Sequence, residues 1–149
     1  MLHSLKYQNN TELGIFLGEL YGKELKESSL FADCDAIVPV PLHRKKIRLR
    51  GYNQSDFITD GLSKAMRIPV HKKILVRTVA TSTQTRKSRY ARFENVENVF
   101  QLSGEKPKAK HFLLVDDIIT TGSTLEGCVL CLNQIEGAKV SVATIACTF

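Results

Sequence analysis

The chain has 149 residues, 43% of them hydrophobic, and a formal net charge of +6, enough for a single domain spanning residues 1–149 with a real core and short for two. No run of about 18 apolar residues occurs, and the opening MLHSLKYQNN has neither an apolar signal core nor an Arg-rich presequence, so no membrane insertion and a cytoplasmic location are expected. The modest basic excess suits phosphate-bearing ligands without demanding nucleic acid.

In residues 11–26, Leu13, Phe16, Leu17, Leu20, Tyr21 and Leu25 form a helical stripe, with Thr11 as a cap. Gly14, Gly18 and Gly22 recur every four residues, which predicts tight packing of this helix against another element. Ala36, Ile37 and Val38 read as a short buried strand that Pro39 and Pro41 stop, and a strand ending in a rigid turn is a good place to hold a ligand. Between His43 and Arg50 the chain then concentrates five cations, Arg44, Lys45, Lys46, Arg48 and Arg50. The run has three readings: a solvated charged loop, contact with a pyrophosphate or other polyanion, or a strip tracking single-stranded nucleic acid, for which only Tyr52 is nearby to stack. Gly51 breaks the run, and Asn53 or Ser55 caps a helix expected over Ser55 to Met66.

Lys73 to Val79 predicts another strand. It leads into Ala80 to Asn95, polar and basic with Arg86, Lys87, Arg89 and Arg92, whose length without a core face fits either a cationic lid over a phosphorylated substrate or a disordered linker. Val96 to Leu102 resumes regular structure and packs Val99, Phe100 and Leu102, before a Gly/Pro/Lys turn over Ser103 to Lys110.

The stretch Phe112 to Thr124, FLLVDDIITTGST, carries the most chemistry. Phe112, Leu113, Leu114 and Val115 read as a buried parallel strand covered on both faces. Gly122 lets backbone N–H groups approach a ligand, Thr120, Thr121, Ser123 and Thr124 add hydroxyls, and the helix that follows points its positive end at the same spot, which suits a phosphate. Asp116 and Asp117 would repel that phosphate and should face hydroxyl donors or a metal, so a sugar phosphate satisfies both halves. Either half alone is an ordinary strand end or helix cap; the compound order is the signal. Neither a G-x-x-x-x-G-K-[ST] loop nor a G-x-G-x-x-G competes with it. A helix over Leu125 to Ile135, ended by Gly137, and a last strand over Lys139 to Cys147 imply a right-handed parallel crossover.

Cys128 and Cys131 lie on one face of an apolar helix, and Cys34 and Cys147 are isolated, so all four cysteines are expected as buried small apolar side chains. The four histidines show no ligand spacing.

Phe112 to Thr124 resembles the phosphoribosyl pyrophosphate motif of type I phosphoribosyltransferases, an apolar strand followed by D-D-x-x-T-T-G-x-T. With VPVPLHRKKIRLRGYNQS and TSTQTRKSRYARFENVENVF, nearly the whole chain is similar to one subgroup, the ComF family linked to competence and DNA uptake. Members commonly carry an N-terminal four-cysteine zinc module; here Cys34 is the first cysteine, so the chain is expected either to be a fragment beginning after that module or to lack it, and zinc is not expected. The resemblance implies an α/β fold with a central, mainly parallel sheet flanked by helices. It implies that Asp116 and Asp117 bind ribose hydroxyls directly or beside magnesium, that Thr120, Thr121, Gly122, Ser123 and Thr124 hold the 5′-phosphate, that Val40, Pro41 and Arg44 approach the pyrophosphate, and that Arg86 lies on the catalytic loop.

Three functions stay open at this stage. They are a phosphoribosyltransferase with an unknown nucleobase-like acceptor, a module that binds phosphoribosyl pyrophosphate or a nucleotide without turnover, and a DNA-handling component of the competence machinery contacting a strand through Lys45, Lys46, Arg48 and Arg50. A homodimer is one assembly compatible with all three.

Overall fold

The computed structural model describes residues 11–78, 99–105 and 107–148. Its elements run α1 (Thr11–Glu27), β1 (Ala36–Pro39), α2 (Arg44–Arg50), α3 (Gln54–Met66), β2 (Leu75–Arg77), β3 (Phe100–Leu102), β4 (His111–Ile119), α4 (Ser123–Leu132) and β5 (Lys139–Cys147). Strands β1, β4 and β5 form a parallel sheet with β4 in the centre, while β2 and β3 pair antiparallel as a separate ribbon. Strand β4, helix α4 and strand β5 follow one another with the two strands parallel, as expected from the sequence.

Side chains alternate across a strand, so each central strand feeds two cores. Ala36, Val38, Phe112 and Leu114 face Leu125, Cys128 and Leu132 of α4 and Ile74, Leu75 and Phe100 of the ribbon. Ile37, Leu113 and Val115 face Ile58 and Leu62 of α3, with Leu25 of α1 in the same cluster. Helices therefore cover both faces, which is why β4 begins as an unbroken apolar run.

The glycine repeat in α1 packs as expected, against α3. A Cβ on Gly18 would strike the Ile58 carbonyl oxygen, and one on Gly61 would meet Glu19 N at 2.8 Å and Gly18 Cα at 2.9 Å. The buried line of α1 is accordingly Gly14, Gly18, Gly22 and Leu25. Phe16 (56% exposed) and Leu20 (47%), assigned to an inward stripe from the sequence, face outward because the glycines take the contact face.

Two further segments differ from expectation. The cationic run is a helix, α2, rather than a loop: the His43 side chain accepts from Lys45 N at 3.2 Å, and Gly51, at φ 83°, closes the helix by donating its N–H to Ile47 O at 2.7 Å. Helix α4 ends at Leu132, five residues before Gly137, because the chain turns there through Gln134 N to Cys131 O (3.1 Å) and Ile135 N to Leu132 O (3.0 Å). Cys34, Cys128 and Cys131 are buried as expected, but Cys147 is exposed, at the end of a strand that among the described residues has a sheet partner on one side only.

At the N-terminal end of β4, His111 is buried and locks the sheet to the preceding turn. Its Nε2 lies 2.8 Å from Ser141 Oγ and 3.5 Å from Cys34 Sγ. Its Nδ1 lies 3.0 Å from Asp33 Oδ1, within ion-pair reach but without hydrogen-bond geometry. The Asp35 carboxylate accepts from the backbone of Lys110 and His111 at 3.0 and 2.9 Å. Among the described residues no helix is long and apolar enough to cross a membrane.

Candidate functional site

The parallel pairing of β1 with β4 brings their C-terminal ends together, with Pro39 opposite Val115 and Val40 N donating to Val115 O at 2.8 Å. Beyond that point the strands part. β1 leaves as the turn Val40, Pro41 and Leu42, β4 continues as Asp116, Asp117 and Ile118, and a cleft of about 180 Å³ opens between them. Open parallel sheets commonly bind ligands at this edge.

The first turn of α3 braces both walls. Asn53 Nδ2 donates to Val40 O at 3.0 Å and to Asp56 Oδ1 at 3.1 Å, tying the turn to the helix start. Ser55 Oγ donates to Asp116 Oδ1 at 3.2 Å, tying the helix to β4. Between them Gln54 lines the cleft, only 4% exposed, and its buried Nε2 has no hydrogen-bond partner among the described residues. A buried donor left in that state costs about 1–3 kcal/mol.

Asp116 is the electrostatic centre. Burial, and then the charge of Asp117, push its carboxyl up to about 7, against the pull of hydrogen bonds from the Asp117 amide (2.9 Å) and Ser55. Arg77, at the end of β2, also lines the cleft; its guanidinium lies 5.3 Å from the centroid of the Phe100 ring, and burial lowers its pKa from the ordinary arginine value. Arg50 supplies a second cation from the last residue of α2.

After β4 the chain turns at Gly122, whose φ of 80° favours glycine, directly into α4. Gly122 brings no side-chain cap to that helix. Thr121 Oγ1 and Ser123 Oγ lie 3.1 Å apart at the rim, and Thr120 and Thr124 line the cleft. Hydroxyls and a helix N-terminus thus face the same opening as the two carboxylates.

The structure gathers Val40, Pro41, Asp116, Asp117, Thr120 and Thr124 around one cleft, with Thr121, Gly122 and Ser123 adjacent in the same turn. Arg44, at the opposite end of α2, is not among its lining residues, whereas Arg50, grouped with the nucleic-acid strip in the sequence reading, is. Lys45, Lys46 and Arg48 likewise do not line it. Arg86 and the basic segment around it lie outside the described residues. Sequence reasoning missed Gln54, Ser55 as a partner of Asp116, and Arg77; the available signals were the polar run Asn53 to Asp56 after Tyr52 and Arg77 as a charge inside the apolar strand KILVRTV.

A family model described as the phosphoribosyl transferase domain matches residues 60–147. The chain is 33% identical over 146 residues to the DNA utilization protein YhgH of Escherichia coli K12, covering 95% of this chain and 63% of that protein. It is 32% identical over 151 residues to competence protein F of Haemophilus influenzae, covering 98% of this chain and 66% of that one. It therefore spans roughly two thirds of the length of these relatives. Among solved structures, the glutamine phosphoribosylpyrophosphate amidotransferase of B. subtilis superposes with a TM-score of 0.55 at 22% identity, over 86% of this chain and 26% of that one, a likeness of fold. With the motif on the β4–α4 turn and the family match across the C-terminal part of the sheet, the chain belongs to the phosphoribosyl transferase domain family, with the type I fold its sequence resembles.

Proposed function

We propose that the cleft binds phosphoribosyl pyrophosphate and that the chain is a phosphoribosyltransferase acting on a nucleobase-like acceptor in the context of DNA uptake. One observation carries this reading: the carboxylate pair of Asp116 and Asp117 lines a single cleft together with a hydroxyl-rich helix N-terminus and the cations Arg50 and Arg77. A sugar with hydroxyls and two anionic groups matches that set of side chains. Thr120 to Thr124 receive the 5′-phosphate, the carboxylates receive the ribose hydroxyls, and the Val40–Pro41 turn with Arg50 receives the pyrophosphate. In transfer, the C1–O bond to pyrophosphate breaks as the acceptor nitrogen bonds C1, pyrophosphate leaves with the electron pair, and the acceptor's proton passes to solvent. The context comes from relatives named for DNA utilization and competence.

The donor set fits magnesium. Among the described residues no three His, Cys, Asp or Glu side chains gather as a cage, and magnesium is usually held by one or two carboxylates plus substrate oxygens and water. Asp116 and Asp117 would hold it, and its charge would offset that building on the departing pyrophosphate. Ionising Asp116 against burial and Asp117 is also what a bound cation would favour.

Calorimetric titration of phosphoribosyl pyrophosphate with and without magnesium tests this, with the Asp116→Asn, Asp117→Asn double variant as control. Magnesium-dependent binding that disappears in the variant supports the reading; an intact protein that binds none refutes it.

A second reading rests on α2. Arg44, Lys45 and Arg48 are exposed beside Leu49, which is 87% exposed. Such a basic surface with an apolar side chain suits a single strand of nucleic acid, and it leaves the cleft free for its own ligand.

A further inference from the structure

We propose that Gln54 is the residue by which the cleft distinguishes a pentose carrying two anionic groups from one carrying a single phosphate. Resting on the reading of the cleft given above, it assigns the second anionic group to the N-terminus of α3.

Three consecutive polar residues open that helix, all buried. Asn53 and Ser55 are committed, one to Val40 O and the other to Asp116. Gln54 is not: it lines the cleft at 4% exposure with an Nε2 that has no partner among the described residues. Packing alone does not call for an amide there, since an apolar side chain of the same length would fill the space without leaving a donor unpaired. The donor is accounted for if a ligand oxygen completes it. A carboxamide exchanges its oxygen and nitrogen by rotation about its last torsion, which is broad, so the N–H groups can be presented to the opening.

The surroundings say what kind of oxygen. Helix α3 has 13 residues, and Asn53 makes no side-chain cap bond at its start, so the positive end of the helix faces the site without a side-chain cap. Asp56 shares the first turn, but its Oδ1 accepts from Asn53 and it is not among the residues lining the cleft. Arg50 and Arg77 line the same opening. Donors and cations together favour an anionic oxygen over a neutral carbonyl. The turn into α4, with Thr120 and Thr124, lines the same cleft and is the start of a second helix. The cleft therefore has two helix starts for two anionic groups, and Gln54 serves the second.

The test compares ribose 5-phosphate, with one anionic group, and phosphoribosyl pyrophosphate, with two, by calorimetry in magnesium. Gln54→Met keeps the length of the side chain and removes its hydrogen bonding. The expected result is weakening of phosphoribosyl pyrophosphate by about tenfold or more, with ribose 5-phosphate held within about twofold. Gln54→Glu should lose phosphoribosyl pyrophosphate more completely while still binding ribose 5-phosphate, and it gives an independent reading if the Met variant fails to fold. Equal affinities in wild type and variants, or parallel loss of both ligands, overturns the assignment while leaving the cleft as a sugar-phosphate site. Wild-type protein that binds neither ligand overturns the reading of the cleft and this assignment with it.

Discussion

Asp116→Asn should stabilise the ligand-free protein at alkaline pH and destroy the site. Asp116 is held at about 7 in the folded chain, first by burial and then by Asp117, against about 3.9 when unfolded. A carboxyl raised on folding contributes stability that is complete below the unfolded pKa and is lost as pH rises through the folded one. Wild type should therefore be weaker at about pH 8 than at about pH 5 by the two units between 5 and 7, roughly 2–3 kcal/mol at about 1.36 kcal/mol per unit. Asn cannot ionise, and its Oδ1 can still accept from Ser55, so the variant lacks this term. The variant-minus-wild-type difference should shrink by that amount between about pH 8 and pH 5, a change of roughly 5–10 °C in the Tm difference. Urea unfolding at both pH values measures it, and other titrating groups cancel in the comparison. A difference independent of pH would refute the argument that burial beside Asp117 governs this carboxyl.

Ser55→Ala removes a hydrogen bond that favours the ionised form of Asp116, so the Asp116 midpoint should move further up, as read from its carboxyl carbon by NMR; a downward move contradicts the geometry. Gly61→Ala should destabilise by about 2–3 kcal/mol in urea despite a helix-propensity gain of about 1 kcal/mol, because the new Cβ meets the α1 backbone. A gain in stability would show that α1 and α3 separate freely. Replacing Lys45, Lys46 and Arg48 with Gln should reduce the salt slope of single-stranded DNA affinity by about 2 and leave phosphoribosyl pyrophosphate affinity unchanged, since none of the three lines the cleft. An unchanged slope would remove α2 from any nucleic-acid role.

The sheet was legible where burial leaves a simple trace. Phe112 to Val115 is buried on both faces and reads as an apolar run, and Lys139–Cys147 reads as a strand with the bounds the structure has. The turn carrying Asp116 to Thr124 was legible because residue type and order both constrain it. What escaped depends on partners distant in sequence. Phe16 and Leu20 look like core residues until α3 brings Gly61 against Gly18 and takes the opposite face. Helix α2 was hidden because RKKIRLR has no apolar face to mark its period, although Arg, Lys and Leu are good helix formers. Gln54 looks like part of a cap signal, and only the commitments of Asn53 to Val40 and Ser55 to Asp116 single out its amide.

The most direct test of the central claim is a crystal structure of the protein grown with phosphoribosyl pyrophosphate and magnesium. The account predicts the 5′-phosphate against the backbone amides of Thr121 to Thr124, the ribose hydroxyls within hydrogen-bond reach of Asp116 and Asp117, and the pyrophosphate beside Val40, Arg50 and Gln54. Ligand density on the outer face of α2 with the cleft holding only water would contradict it.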